Sequence, residues 1–121
     1  MAWTKKLAMT AGLAMTFVAL PAMAHHSFAM FDQTKLLNMS DVTVTNFTWT
    51  NPHTFVVVEV KGVKYVMECN SVNMLRRSGW KANTLKAGDK VQVAFHPLRT
   101  GKPGGMLKSI TLPNGNTMSA W

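Results

Sequence analysis

The fold class this sequence predicts is all-β with one short helix: a small five-stranded barrel. Three observations carry it. Apolar residues recur with period two in several short runs, as half-buried strands require. One stretch, Ser71 to Gly79, changes to helical spacing. That stretch falls between the third and fourth strand-like runs, the arrangement of the OB-like barrel, a partly open Greek-key fold. Closing the sheet also removes exposed strand edges in a chain whose one cysteine cannot form an internal disulfide. A small β-sandwich is the alternative architecture, because periodicity alone does not fix which strands pair.

The elements follow in order. Residues 1–24 carry Lys5 and Lys6, an apolar run from Leu7 to Leu20, a break at Pro21 and the small-residue triplet Ala22-Met23-Ala24. Positive start, short apolar stretch and A-x-A site predict a secretory signal peptide cleaved after Ala24. The mature protein is then periplasmic, begins at His25 and has no transmembrane segment. Of 121 residues, 97 remain, enough for one small domain. Residues 25–41 read as an N-terminal segment and 42–121 as the barrel.

In the run 42–49, Val42, Val44, Phe47 and Trp49 alternate with polar neighbours, with one phase slip at Asn46 that predicts a bulge. Asn51-Pro52 stops that strand. His53 to Val60 and Val63 to Cys69 are β-branched-rich runs joined by Lys61-Gly62, a hairpin. Ser71 is placed to cap a two-turn helix containing Val72 and Leu75, with Arg76 and Arg77 near its C-terminus and Gly79 as its stop. The turn at Leu85 to Lys90 leads into the strand Val91 to Phe95, which Pro97 closes. Residues 100–105 read as a flexible loop. Met106 to Leu112 predicts a further strand, and Pro113 to Asn116 turns the chain into a short last segment, Thr117 to Trp121.

Charge bounds the partners. The 13 basic side chains less Lys5 and Lys6 leave 11 against five acidic ones, so the mature part is at net +6 with neutral histidines. Such a protein is drawn to anionic envelope components such as lipid headgroups or acidic polymers, through Arg76, Arg77, Arg99 and Lys102. Nucleic acid is not an expected partner outside the cytoplasm.

The segments "AHHSFAMFD", "WTNPH" (49–53), "NMLRRSGW" (73–80), "LKAGDKV" (85–91) and "HPLRTGKPGG" (96–105) stand in order along the mature chain. Together they resemble a family of short exported bacterial proteins classed only as a domain of unknown function. The resemblance implies an exported single domain and no established activity.

Chemistry rests on four histidines, His25, His26, His53 and His96, each within one of these segments. Cleavage after Ala24 gives His25 both an α-amine and a ring nitrogen, so one residue supplies two donors to a metal. Copper(II) favours square-planar nitrogen sites and tops the divalent affinity order, and a third nitrogen from His26, His53 or His96 would complete the set. The pattern resembles the histidine brace of copper monooxygenases and periplasmic copper carriers in local chemistry alone. Cleavage one residue earlier would put His26 third, the position used by simple amino-terminal copper and nickel peptides. The competing reading gives His53 and His96 structural work, each ring beside a tryptophan and donating to a backbone carbonyl.

Other chemistry is poorly provided for. The carboxylates Asp32, Asp41, Glu59, Glu68 and Asp89 are spaced singly, and no Ser-His-Asp, Cys-His or haem-attachment pattern occurs. Cys69 reads as a buried strand-end thiol and the scattered methionines as core filler. The tryptophans and phenylalanines Trp49, Trp80, Trp121, Phe28, Phe31, Phe47, Phe55 and Phe95 read as a core before a ligand groove. The chain is expected to be a binding module and not an enzyme, unless bound copper has an open position that makes it an oxidoreductase.

Overall fold

The structure, a computed structural model, describes residues 26–121. The signal-peptide reading of residues 1–24, and His25 itself, lie outside the described residues. Among those described, no helix is long and apolar enough to cross a membrane.

The elements are α1 (His26–Ala29), β1 (Leu37–Thr48), β2 (Phe55–Val60), β3 (Val63–Glu68), α2 (Val72–Arg77), β4 (Lys90–Pro97), β5 (Gly104–Thr111) and β6 (Thr117–Ser119). They form one sheet in the order β3-β2-β1-β4-β5-β6, and a further pairing of β3 with β5 closes it. The result is a closed five-stranded OB-like barrel with β6 as an extra strand on β5. The closing pair is parallel and short, matching Val66 to Gly104, Met67 to Gly105 and Glu68 to Met106.

Strand β1 is long because it serves two neighbours. Thr43 to Thr48 pair with β2, while Leu37 to Thr43 pair with β4. Two register shifts bend it, one between Val44 and Asn46, as the phase slip predicts, and one between Met39 and Val42. The second shift hides the first half of the strand from a periodicity argument. The strand therefore begins at Leu37, five residues inside the stretch read as an N-terminal segment. The β2–β3 hairpin turns on Lys61 (φ 50°) and Gly62 (φ 77°), the paired left-handed residues whose twist suits a two-residue turn.

Alternate residues fill the barrel. Val42, Val44, Val56, Val58, Met67, Val91, Val93, Phe95, Leu107 and Ile110 form one buried cluster. Helix α2 and the chain after it close one end. Ser71 Oγ accepts from the Met74 N–H at 3.3 Å and Asn51 Oδ1 from the Val72 N–H at 3.1 Å, so two otherwise orphaned helix donors are satisfied. At the other terminus the Trp80 N–H reaches the Leu75 carbonyl at 3.0 Å and Gly79 (φ 89°) donates to Arg76 at 3.1 Å. This is the Schellman pattern, and it turns Trp80 into the core beside Leu75.

The glycines of "GKPGG" overturn one expectation. Gly104 and Gly105, read as loop, are the first residues of β5. A Cβ on Gly105 would lie 2.1 Å from the His96 carbonyl oxygen, and one on Gly104 would lie 2.5 Å from that of Val66. Flexibility is not their use here. They let three strands approach where the barrel closes.

Candidate functional site

The segment before β1 lies along the end of β4. Phe31 bridges Leu98, the Asp32 N–H donates to the Pro97 carbonyl at 2.9 Å and the Arg99 N–H to that of Met30 at 2.9 Å. Arg99 Nε adds a bond to the Ala29 carbonyl at 3.1 Å. This docking carries α1 to the outer wall of the barrel, where the Phe28 ring meets Trp121 edge-on at 5.4 Å between centroids.

Trp121 is itself held, its Nε1–H donating to the Glu68 carbonyl at 3.1 Å. Its other neighbour is His53, 5.8 Å away between ring centroids. His53 precedes β2, and its Nδ1 lies 3.2 Å from the Cys69 carbonyl and 3.6 Å from Glu68 Oε1. A carbonyl oxygen only accepts, so Nδ1 carries a proton, and it is Nε2 that is left to offer a lone pair to a metal. Ligating histidines commonly have this arrangement, the other ring nitrogen being pinned to a carbonyl.

His96 is built the same way, its Nδ1 donating to the Lys35 carbonyl at 2.6 Å. It pairs with Met106, which pairs with Glu68, so the three stand in one row across β4, β5 and β3. Cross-strand partners share a face, and two strand spacings put the His96 backbone about 10 Å from that of Glu68. Glu68 and His96 thus share one face of the sheet, and His53 lies against Glu68, each histidine on its own carbonyl. Among the described residues no three of His, Cys, Asp and Glu come together as a metal-binding group. His26 is the first residue of α1, and His25 is outside the described residues.

The competing structural reading describes His53 well, for its ring lies against Trp121 and donates to a carbonyl. For His96 the carbonyl is there and, among the described residues, no tryptophan is paired with the ring. Cys69 is fully buried, and burial pushes its thiol up to about 12, so it is a core residue and no nucleophile. The aromatic groove dissolves in the same way: Trp80, Phe31 and Phe95 are buried, and Phe47 and Trp49 pack on the core.

Sequence reasoning missed Glu68, Trp121 and Phe28 as the setting of His53. Their association is non-local, and spacing along the chain carries no signal for it. Glu68 lies under this cluster, and burial raises its carboxyl above the ordinary value, against a smaller opposing effect of His53. The raised folded value fixes the sign. Over the window just above the ordinary carboxylate range the folded state holds the proton and the unfolded chain does not, so stability falls as pH rises through it. Glu68→Gln is therefore expected to raise Tm by a few degrees at pH 7, with the gain vanishing below the ordinary carboxylate pKa. Thermal melts of both proteins across pH 3 to 8 check it.

Fold and site together define a class, a small OB-like barrel whose N-terminal segment is strapped to the outer wall beside a carbonyl-oriented histidine. The chain belongs to a family of unknown function (DUF6152), whose sequence model matches residues 13–108. No curated protein and no solved structure matches it.

Proposed function

We propose that this chain is an exported, non-enzymatic binding module that takes copper(II) at the mature N-terminus. His25 supplies its α-amine and one ring nitrogen, and Nε2 of His53 supplies the third. The observation that carries this reading is the run of ring contacts from Phe28, edge-on to Trp121, and from Trp121 to His53. His25 lies three residues before Phe28, a covalent reach of roughly 10 Å. With the chain anchored at Phe28, chelation three residues earlier costs less ordering entropy than in a free tail. Copper(II) is favoured over zinc by an all-nitrogen donor set and by its place in the affinity order. The reading requires cleavage after Ala24, in the periplasm.

The test starts with intact mass of protein from its own periplasm, which should correspond to a chain beginning at His25, and with its copper content. A hundredfold excess of copper over Kd stabilises by about 2.7 kcal/mol, an upward shift in Tm of roughly 10 °C or more. Adding three alanines before His25, so that no histidine stands among the first three residues, should abolish the shift and His53→Gln should cut it sharply, while His96→Gln should leave it unchanged. A shift of equal size in all three variants would show that copper is only finding exposed rings.

The second reading, contact with an anionic envelope component, draws on the net charge. Arg76 and Arg77 end α2, which follows the C-terminal end of β3. Arg99 and Lys102 gather with Val63 and Tyr65 at the other end of that strand. The two pairs are thus set toward opposite ends of β3, and each is a candidate for contact with an anionic group.

A further inference from the structure

The barrel has an unfilled mouth. Strand β3 pairs with β5 only from Val66 onward, so its first residues run past the start of β5 without a neighbour on that side. Val63 and Tyr65 are in phase with the buried Met67, and Leu37 is the cross-strand partner of the buried Phe95. These are inner-face positions. Even so, Val63 and Leu37 are each 44% exposed, looking into a cleft of about 590 Å³ floored by Phe95.

Cations stand at its rim. Lys35, Arg99 and Lys102 line the cleft, with Asp32 as the one acid. Asp32 is spoken for, bonded to Thr34 Oγ1 at 2.6 Å and paired with Lys35 at 3.6 Å. Its carboxyl is held below its ordinary value first by the Thr34 hydroxyl, with Lys35 and Arg99 adding to the effect. Among the described residues, no carboxylate is within ion-pair distance of Arg99 or Lys102.

We infer that this mouth is a binding site for a small amphiphilic anion, with a single negatively charged head on a short apolar body. The head meets Lys102 and the free end of the Arg99 guanidinium, and the body covers Leu37, Val63 and Tyr65. The volume falls in the range of small-ligand sites, and an apolar floor with a few convergent charges is their usual composition. A polyanion fits worse, because it needs a long track of cations and exposed stacking rings, whereas Phe95 is buried. A bilayer surface fits worse too, because the apolar residues line a concavity. The cleft adjoins the strap through Lys35 and Arg99, but no histidine lines it, so anion binding there requires no bound copper.

Octanoate, kept below its micelle concentration, is the probe, with octan-1-ol as its uncharged counterpart and phosphatidylglycerol vesicles as the membrane arm. Calorimetry on the mature protein should give one octanoate per chain, with octanol about tenfold weaker or more, the worth of a charge-assisted contact. Lys102→Gln should weaken octanoate about tenfold, and raised salt should act in the same direction. Val63→Asp, at a position 44% exposed, should abolish binding while the variant keeps a cooperative melt, and Arg76→Gln at the far end should change nothing. Equal affinity for octanol, indifference to Lys102→Gln, or binding to vesicles without binding to octanoate would each overturn the inference.

Discussion

Gly105→Ala is expected to lower the melting temperature more than any other single-methyl change in this protein. Gly105 pairs with Pro97 of β4 on one side and Met67 of β3 on the other, at the seam where the sheet becomes a barrel. The added Cβ would lie 2.1 Å from the His96 carbonyl oxygen and 2.8 Å from Phe95 Cδ2. The carbonyl is backbone in a paired strand, so relief requires prising β4 from β5 or moving the Phe95 ring out of the core. Overpacking of this kind costs about 3 kcal/mol or more, against a total stability on the order of 5–15 kcal/mol for a small domain. For a chain of this size that is a fall in Tm of about 12–24 °C.

Gly104→Ala should do comparable damage for a different reason. Its φ is 145°, where side chains are rarely found, and its Cβ would meet the Val66 carbonyl oxygen at 2.5 Å. The comparison that isolates barrel closure is Gly115→Ala. Gly115 also has positive φ, at 89°, but a Cβ there meets nothing. It should lose only the backbone term, about 1–2 kcal/mol. Denaturant melts of the three variants check the order, and a Gly105→Ala protein as stable as Gly115→Ala would refute the closure argument.

These glycines also mark where sequence reasoning stops. What was legible was local. Lys61-Gly62 announces a hairpin because both residues must take positive φ. Ser71 and Gly79 announce the two ends of α2 because capping and the Schellman turn need those side chains. The slip at Asn46 announces a bulge because one extra residue reverses the alternation. What was not legible depends on partners distant along the chain. Gly104 and Gly105 look like loop by composition, and only the parallel β3–β5 contact shows why no side chain fits there. That same contact separates the barrel from a sandwich. The start of β1 at Leu37 is hidden by the irregularity at Ser40 and Asp41, where Asp41 has φ 59°.

The candidate site divides along the same line. The residue types that could bind a metal were readable, because four histidines in 121 residues are easily enumerated. Their setting was not. The proximity of Phe28 to His53 runs through Trp121, and each of the three comes from a different part of the chain. The segments on which the resemblance rests do structural work as well: Asn51 of "WTNPH" caps α2, Asp89 of "LKAGDKV" accepts from the Lys86 N–H at 2.9 Å, and the paired glycines of "HPLRTGKPGG" close the barrel. The fold accounts for these residues, so the chemistry must be argued from the orientation of His53.

Trp80→Ala should be the most damaging truncation at the closed end of the barrel. Trp80 is 1% exposed, packs in the cluster with Leu75 and Leu85, and lies 5.9 Å from Phe47 between ring centroids. Its Nε1–H donates to the Ser119 carbonyl at 2.8 Å, which ties the last strand to the segment after α2. Truncation removes the largest buried side chain and leaves a cavity, at a cost of about 3–5 kcal/mol. It also strips a donor from a partly buried carbonyl, which adds roughly 1–3 kcal/mol if no water replaces it. Trp80→Phe separates the two effects, since it retains most of the apolar volume and loses the N–H. Its expected loss is about 1–3 kcal/mol, close to the hydrogen-bond contribution alone. The order of stability should therefore be wild type, then Trp80→Phe, then Trp80→Ala, with the last losing roughly 15–30 °C in Tm. If the phenylalanine variant fell as far as the alanine one, the strap to Ser119 rather than the filling of the core would be what holds this end of the barrel shut.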